Sequence, residues 1–144
     1  MSNLARHVGI VVNDLEKSVH FWQEIIGFKA VSDNIEPSPY IEELLSLNAT
    51  NLRTVKFSDN KGFIVELLKF ESSNKESDWQ GDLSTTGLTH IALTVENVEQ
   101  LVNKLNEFSY TSLSKIMKSP NGQVKVVFIN GPENLKLEMV EVLP

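Results

Sequence analysis

The sequence predicts an α+β fold made of two tandem βαβββ modules. Three observations carry that expectation. A histidine stands at the mouth of an apolar β-branched run twice, in "HVGIVV" from His7 and in "HIALTV" from His90, 83 positions later. Each run leads into a helix-capping pattern and an amphipathic stripe. Each half then closes with a hairpin whose last strand carries a glutamate inside an apolar run, Glu66 in "IVELL" and Glu138 in "KLEMV".

The first strand, His7 to Val12, reads as buried because it is apolar and β-branched. Asn13 with Glu16 offers a capping box, and Leu15, Val19, Trp22 and Ile26 form one helical stripe that ends at Gly27, a position suited to a left-handed cap. "FKAV" starts the second strand. "LRTVKFS", the turn "DNKG" and "FIVELLKF" form the hairpin.

The second half repeats this order. Asn97 with Gln100 makes the capping box, Val98, Leu101, Val102, Leu105 and Phe108 make the stripe, and "VKVVFIN", "GPEN" and "LKLEMVEV" make the hairpin. Aligned at the same offset, Val12 pairs with Val95, Glu16 with Glu99, Val19 with Val102 and Glu24 with Glu107. Such shared periodicity with few identities is the mark of a diverged internal duplication. The expected organisation is a single domain, 1–144, with a first module at 1–70, a linker at 71–88 and a second module at 89–144.

Two stretches lack a counterpart. Residues 34–50 lengthen the first half by 11 positions, carry a short helix pattern at Ile41 to Leu47, and are expected either to flap over a cavity or to pack as a surface helix. The polar joint around residues 71–87 contains Trp79, a candidate interface residue.

At 144 residues and 41% hydrophobic content the chain can bury one core. A formal charge of -6, with 13 scattered basic residues, repels phosphate backbones, so nucleic acid is not an expected partner. The apolar run near the start is too short to span a membrane, and a cytoplasmic protein is expected. The chain has no cysteine, which excludes disulfides, zinc fingers, thiolate nucleophiles and iron–sulfur clusters. Any metal must sit on imidazole and carboxylate.

A carboxylate in the middle of an apolar strand is costly unless it is paired, protonated or metal-bound. Alone, a strand-end histidine or a strand glutamate usually faces solvent. Repeated together at matching places, His7, Glu66, His90 and Glu138 fit a divalent-metal site of two imidazoles and two carboxylates, suited to Ni, Co, Zn, Mn or Fe. Two further coordination positions would suit a substrate with neighbouring oxygens.

On these residues the chain resembles the vicinal oxygen chelate superfamily, which includes glyoxalase I, methylmalonyl-CoA epimerase, extradiol dioxygenases, fosfomycin-resistance enzymes and bleomycin-binding proteins. The segments that carry the resemblance are "HVGIVVNDLEKSVHFWQEIIGF", "FIVELLKF", "HIALTVENVEQLVNKL" and "GPENLKLEMVEV". It implies a cup-shaped, eight-stranded mixed sheet, with His7, Glu66, His90 and Glu138 at the family's ligand positions. Keeping all four favours the lyase-like and isomerase-like members.

Such an enzyme would remove a proton next to a carbonyl of a small substrate and stabilise the enediolate on the metal, with Glu138 or Glu66 as the base. The family also implies a homodimer. Where glyoxalase I has an arginine and an asparagine for glutathione, this sequence has Val11 and Phe70, so glutathione-dependent activity itself is not expected. "LNATNL" supplies no counterpart of the epimerase base, and Glu42 and Glu43 lie in a helical setting. Two alternatives remain. One is an Fe(II) extradiol-type dioxygenase using His7, His90 and Glu138, against which His20 counts by facing solvent. The other is a non-catalytic antibiotic-binding protein lined by Trp22, Trp79, Tyr40 and Phe70.

Overall fold

In the computed structural model each strand-initial histidine stands one residue before its strand, His7 before β1 (Val8–Val11) and His90 before β5 (Ile91–Thr94). The structure describes residues 2–48, 51–71 and 82–144. Trp79 and most of the joint lie outside the described residues. The chain divides into two compact units, Met1–Ser77 and Asp78–Pro144.

In the first unit β1 leads to α1 (Leu15–His20), which continues as a π-helical segment, Phe21–Ile26. The cap is Asp14, not Asn13: its side chain accepts from the Lys17 amide at 3.0 Å, because β1 stops at Val11 and the helix begins only at Leu15. Gly27 takes the left-handed cap with φ of 88°. The π segment has more than 3.6 residues per turn. Leu15, Ser18, Phe21, Trp22 and Ile25 are buried, while Val19 and Ile26 are only half-buried.

Four strands form the sheet, in the order β1-β4-β3-β2, from β2 (Lys29–Glu36), β3 (Leu52–Ser58) and β4 (Ile64–Phe70). β1 runs parallel to β4 and the other pairs are antiparallel. Alternation sends Val55, Phe57, Val65 and Leu67, all buried, to one face. Lys56, Glu66 and Leu68 go to the other. The tight β3–β4 turn is held by Asp59 Oδ1, which accepts from the amides of Lys61 and Phe63 at 2.8 and 2.9 Å.

The extra stretch of the first half extends β2 and adds α2 (Ser38–Leu45), which ends at Ser46 with φ of 53°. Ile41 of α2 clusters with Leu52, Phe70 and Leu68. By strand alternation, Leu52, Leu68 and Phe70 share the sheet face of Glu66. The insertion thus seals one end of that face. Its other large apolar side chains, Ile35, Tyr40, Leu44, Leu45 and Leu47, are exposed.

The second unit has the order β5-β9-β8-β6, with β6 (Thr111–Ser112), β8 (Val124–Asn130) and β9 (Lys136–Val142); β7 (Met117–Lys118) also pairs with β8. The strand expected between helix and hairpin is therefore split into two short pieces. β5 is parallel to β9. Here α3 (Val98–Glu107) starts at the predicted cap, with Asn97 Oδ1 accepting from the Gln100 amide at 2.8 Å. Asn97→Ala should destabilise this unit by about 1 kcal/mol, read as a lower urea midpoint.

Val98 and Leu105 are buried as predicted, but Phe108, at the end of the helix, is exposed and Tyr110 takes the inner position. Glu141 completes the helix start, with its Oε2 accepting from the Val98 amide at 2.8 Å. The "GPEN" turn places Glu133 and Asn134 at positive φ, 54° and 64°. No helix among the described residues is long and apolar enough to cross a membrane.

On the outer face of the first unit, Arg53 donates to both oxygens of Asp33 at 2.9 and 2.7 Å. These hydrogen bonds hold the Asp33 carboxyl below the ordinary carboxylate range. The folded value is the lower one, so the pair stabilises the fold above the ordinary range and loses that contribution as pH falls through the depressed value. Both side chains are about half exposed, 45% and 51%. Arg53→Met should therefore cost no more than about 0.5 kcal/mol at neutral pH, with the difference vanishing in acid, measured by urea titration.

Candidate metal centre

Parallel pairing of the first and last strand of each unit places its histidine beside its glutamate. Gly9 lies opposite Glu66 in the β1–β4 register, and Ala92 lies opposite Glu138 in the β5–β9 register. Two residues back along each first strand, on the same face, come His7 and His90. His7 Nε2 is 3.5 Å from Glu66 Oε1, and His90 Nε2 is 3.3 Å from Glu138 Oε2. The duplication seen in the sequence is thus repeated as two matched imidazole–carboxylate pairs.

All four side chains are partly buried, with Glu66 at 14% exposure and Glu138 at 25%. The residue facing Glu66 on β1 is small. A Cβ at Gly9 would come within 3.3 Å of Leu68 Cδ1 and 4.0 Å of Glu66 Oε1.

The donor set suits a divalent ion. Two ligand atoms each about 2.1 Å from an ion and at right angles lie about 3 Å apart, close to the separation within each pair. His90 Nδ1 lies 2.8 Å from Thr89 Oγ1, and donation of the Nδ1 proton to that hydroxyl leaves the Nε2 lone pair available to a metal. Among the described residues, no group of three or more His, Cys, Asp or Glu side chains is gathered closely enough to hold a metal ion, so each histidine–glutamate contact stands as a pair.

Two neighbours of the pairs were not marked by sequence pattern. Lys56 lies opposite Glu66 in the β3–β4 register, with its Nζ 3.6 Å from Glu66 Oε2. Phe128 holds the corresponding place opposite Glu138, its ring T-shaped with the His90 ring, centroids 5.1 Å apart and planes at 74°. A lysine inside "LRTVKFS" looks like an ordinary solvent-facing residue until the register is known.

Residues tied to the other activities are placed differently. Trp22 is 1% exposed, packed against Phe21 and Phe28, and so is core and not a pocket wall. Phe70 is likewise buried in the cluster under α2. Of the aromatic set considered for a binding cup, Tyr40 is the exposed member within the described residues. His20 is exposed and borders a shallow groove with Glu16, Glu24 and Arg53, on the sheet face opposite Glu66.

Duplicated βαβββ units with a histidine–glutamate pair in each define a class of chelate-type folds. The chain belongs to the Glyoxalase/Bleomycin resistance protein/Dioxygenase superfamily, whose family model matches residues 5–139. It is 27% identical over 135 residues to the uncharacterised protein YwkD of Bacillus subtilis, covering 94% of each chain. It is 28% identical over 141 residues to a lactoylglutathione lyase of Schizosaccharomyces pombe, covering 93% of this chain and 46% of that protein. In structure it is similar to a glyoxalase family protein from Bacillus cereus, with a TM-score of 0.90, 20% identity, and coverage of 99% and 97%.

Proposed function

We propose that the protein is a divalent-metal-dependent enzyme of lyase, isomerase or epimerase type. It would remove a proton next to a carbonyl of a small substrate with vicinal oxygens, with His7, Glu66, His90 and Glu138 as metal ligands. The observation that carries this reading is the repeated approach of a histidine Nε2 to a strand-central carboxylate, 3.5 Å in one unit and 3.3 Å in the other, at matched registers. When bound, the ion would polarise the substrate carbonyl and offset the negative charge that builds as the neighbouring C–H loses its proton.

The chain's own residues divide the remaining work. His90, held at Nδ1 by Thr89, presents Nε2 in a fixed orientation. Glu138 is the preferred base. It is the more exposed of the two glutamates, whereas Glu66 has the Lys56 ammonium 3.6 Å away. The apolar residues Val11 and Phe70 at the positions that would serve glutathione leave a smaller substrate, without the tripeptide, as the better fit.

The test is solvent exchange. The protein reconstituted with Ni, Co, Zn, Mn or Fe is placed in D2O with a panel of small α-hydroxy ketones and 2-oxo thioesters, and loss of the α-proton signal is followed by NMR. Exchange that disappears in Glu138→Gln is the expected result. Absence of exchange across the panel with every metal would sink the proposal.

A further inference from the structure

We propose that Lys56 is a specificity-determining residue that takes an anionic group of the substrate, which makes the substrate a small carbonyl compound carrying a carboxylate beside its chelating oxygens. The inference rests on the reading of His7 and Glu66 as metal ligands. Its origin is a difference between the two units at one register position. β3 presents Lys56 opposite Glu66, and β8 presents Phe128 opposite Glu138. The rest of the correspondence is close: His7 with His90, Gly9 with Ala92, Glu66 with Glu138.

Phe128 shows what the position needs for structure alone. It packs its ring T-shaped against the His90 imidazole and carries no charge. A lysine at the same place brings a cation to a carboxylate that is meant to hold a cation, and like charges at this range disfavour metal binding. A packing role therefore does not call for it.

The pairing of Lys56 with Glu66 is also loose. At 3.6 Å the contact is longer than a hydrogen bond, and Glu66 is the only partner of Lys56 among the described residues. The lysine side chain is 34% exposed, so the ammonium reaches solvent from a sheet face whose far end is closed by the Ile41 cluster. Once Glu66 gives its charge to an ion, Lys56 is left as a half-buried cation without a counter-charge. A substrate carboxylate supplies it, and a neutral analogue does not. The same lysine that opposes binding of the metal alone thus favours the ternary complex with an anionic ligand.

The experiment uses the full chain loaded with Co(II) and two probes with one chelating group, acetohydroxamate and malonic acid monohydroxamate, which adds a carboxylate. Affinities are read from the Co(II) absorption band and by calorimetry. The wild type should prefer the carboxylate-bearing probe about fivefold or more, the size of one partly shielded charge pair. Lys56→Met should lose the preference while binding Co(II) at least as tightly as the wild type, and Lys56→Arg should keep it; far-UV circular dichroism checks that each variant is folded. A preference that survives in Lys56→Met, or none in the wild type, overturns the assignment of Lys56 while leaving the metal site intact. Weaker Co(II) binding by Lys56→Met also overturns it, since the lysine would then serve to position Glu66. If the wild type takes up no Co(II), the metal reading itself fails, and the role of Lys56 falls with it.

Discussion

His90→Ala should lower affinity for Co(II) or Zn(II) by more than about 100-fold, the upper range seen when even an outer-shell partner of a metal ligand is removed. The side chain is partly exposed, and the backbone hydrogen bonds of β5 do not depend on it, so folding should be unaffected by far-UV circular dichroism. His7→Ala should behave in the same way, because the two histidines occupy matched positions one residue before their strands. Thr89→Val is the graded control. It removes the oxygen 2.8 Å from His90 Nδ1 while leaving the ligand itself, and should cost about tenfold in affinity. Calorimetric titration of the metal-stripped protein measures all three. Equal metal affinity in wild type and His90→Ala would remove the histidine from the site.

Trp22→Ala should destabilise the first unit by ~3–5 kcal/mol. The indole is 1% exposed and meets Phe21 at 5.6 Å and Phe28 at 5.4 Å, so its loss opens a cavity between the π-helical segment and the sheet and also breaks two aromatic contacts. Urea unfolding followed by far-UV circular dichroism reads the shift directly. A loss below about 1 kcal/mol would mean that the surrounding side chains collapse into the space, which the ring contacts with Phe21 and Phe28 argue against.

The duplication was legible because it rests on spacing. Strand-initial histidines, helix caps and strand-central glutamates recur in one order, and the structure repeats that order with matching registers. The finer errors have local causes. Asn13 and Asp14 are both good capping residues, and only the end of β1 decides between them. The stripe through Val19 and Ile26 is displaced by one position, with Ser18 and Ile25 buried in their place; the displacement is already present at Ser18, inside the α-helix and ahead of the π segment. Phe108 satisfies the helical period but falls at the helix end, where the chain turns and Tyr110 goes inward.

Within the candidate site, the histidines and glutamates were visible because such residues are rare in those settings. Lys56 was not, because a lysine in a β-strand is ordinary. Its meaning depends on which residue the hairpin sets across from it, and a slip of one position in the β3–β4 pairing would turn Lys56 to the opposite face.

The parallel pairing of β1 with β4, and of β5 with β9, has a kinetic consequence. Val8 must find Val65 and Ile91 must find Leu137, which are the most distant strand contacts in their units, while the hairpins β3–β4 and β8–β9 close over short turns. Loop-closure entropy makes the distant pairings the later events of folding. The histidine is delivered to the glutamate only in that late step, so each imidazole–carboxylate pair is a product of the completed sheet. A ligand that depends on the pair stabilises the native state without helping the transition state. It should therefore act as a latch, slowing unfolding of the finished unit while leaving its folding rate unchanged.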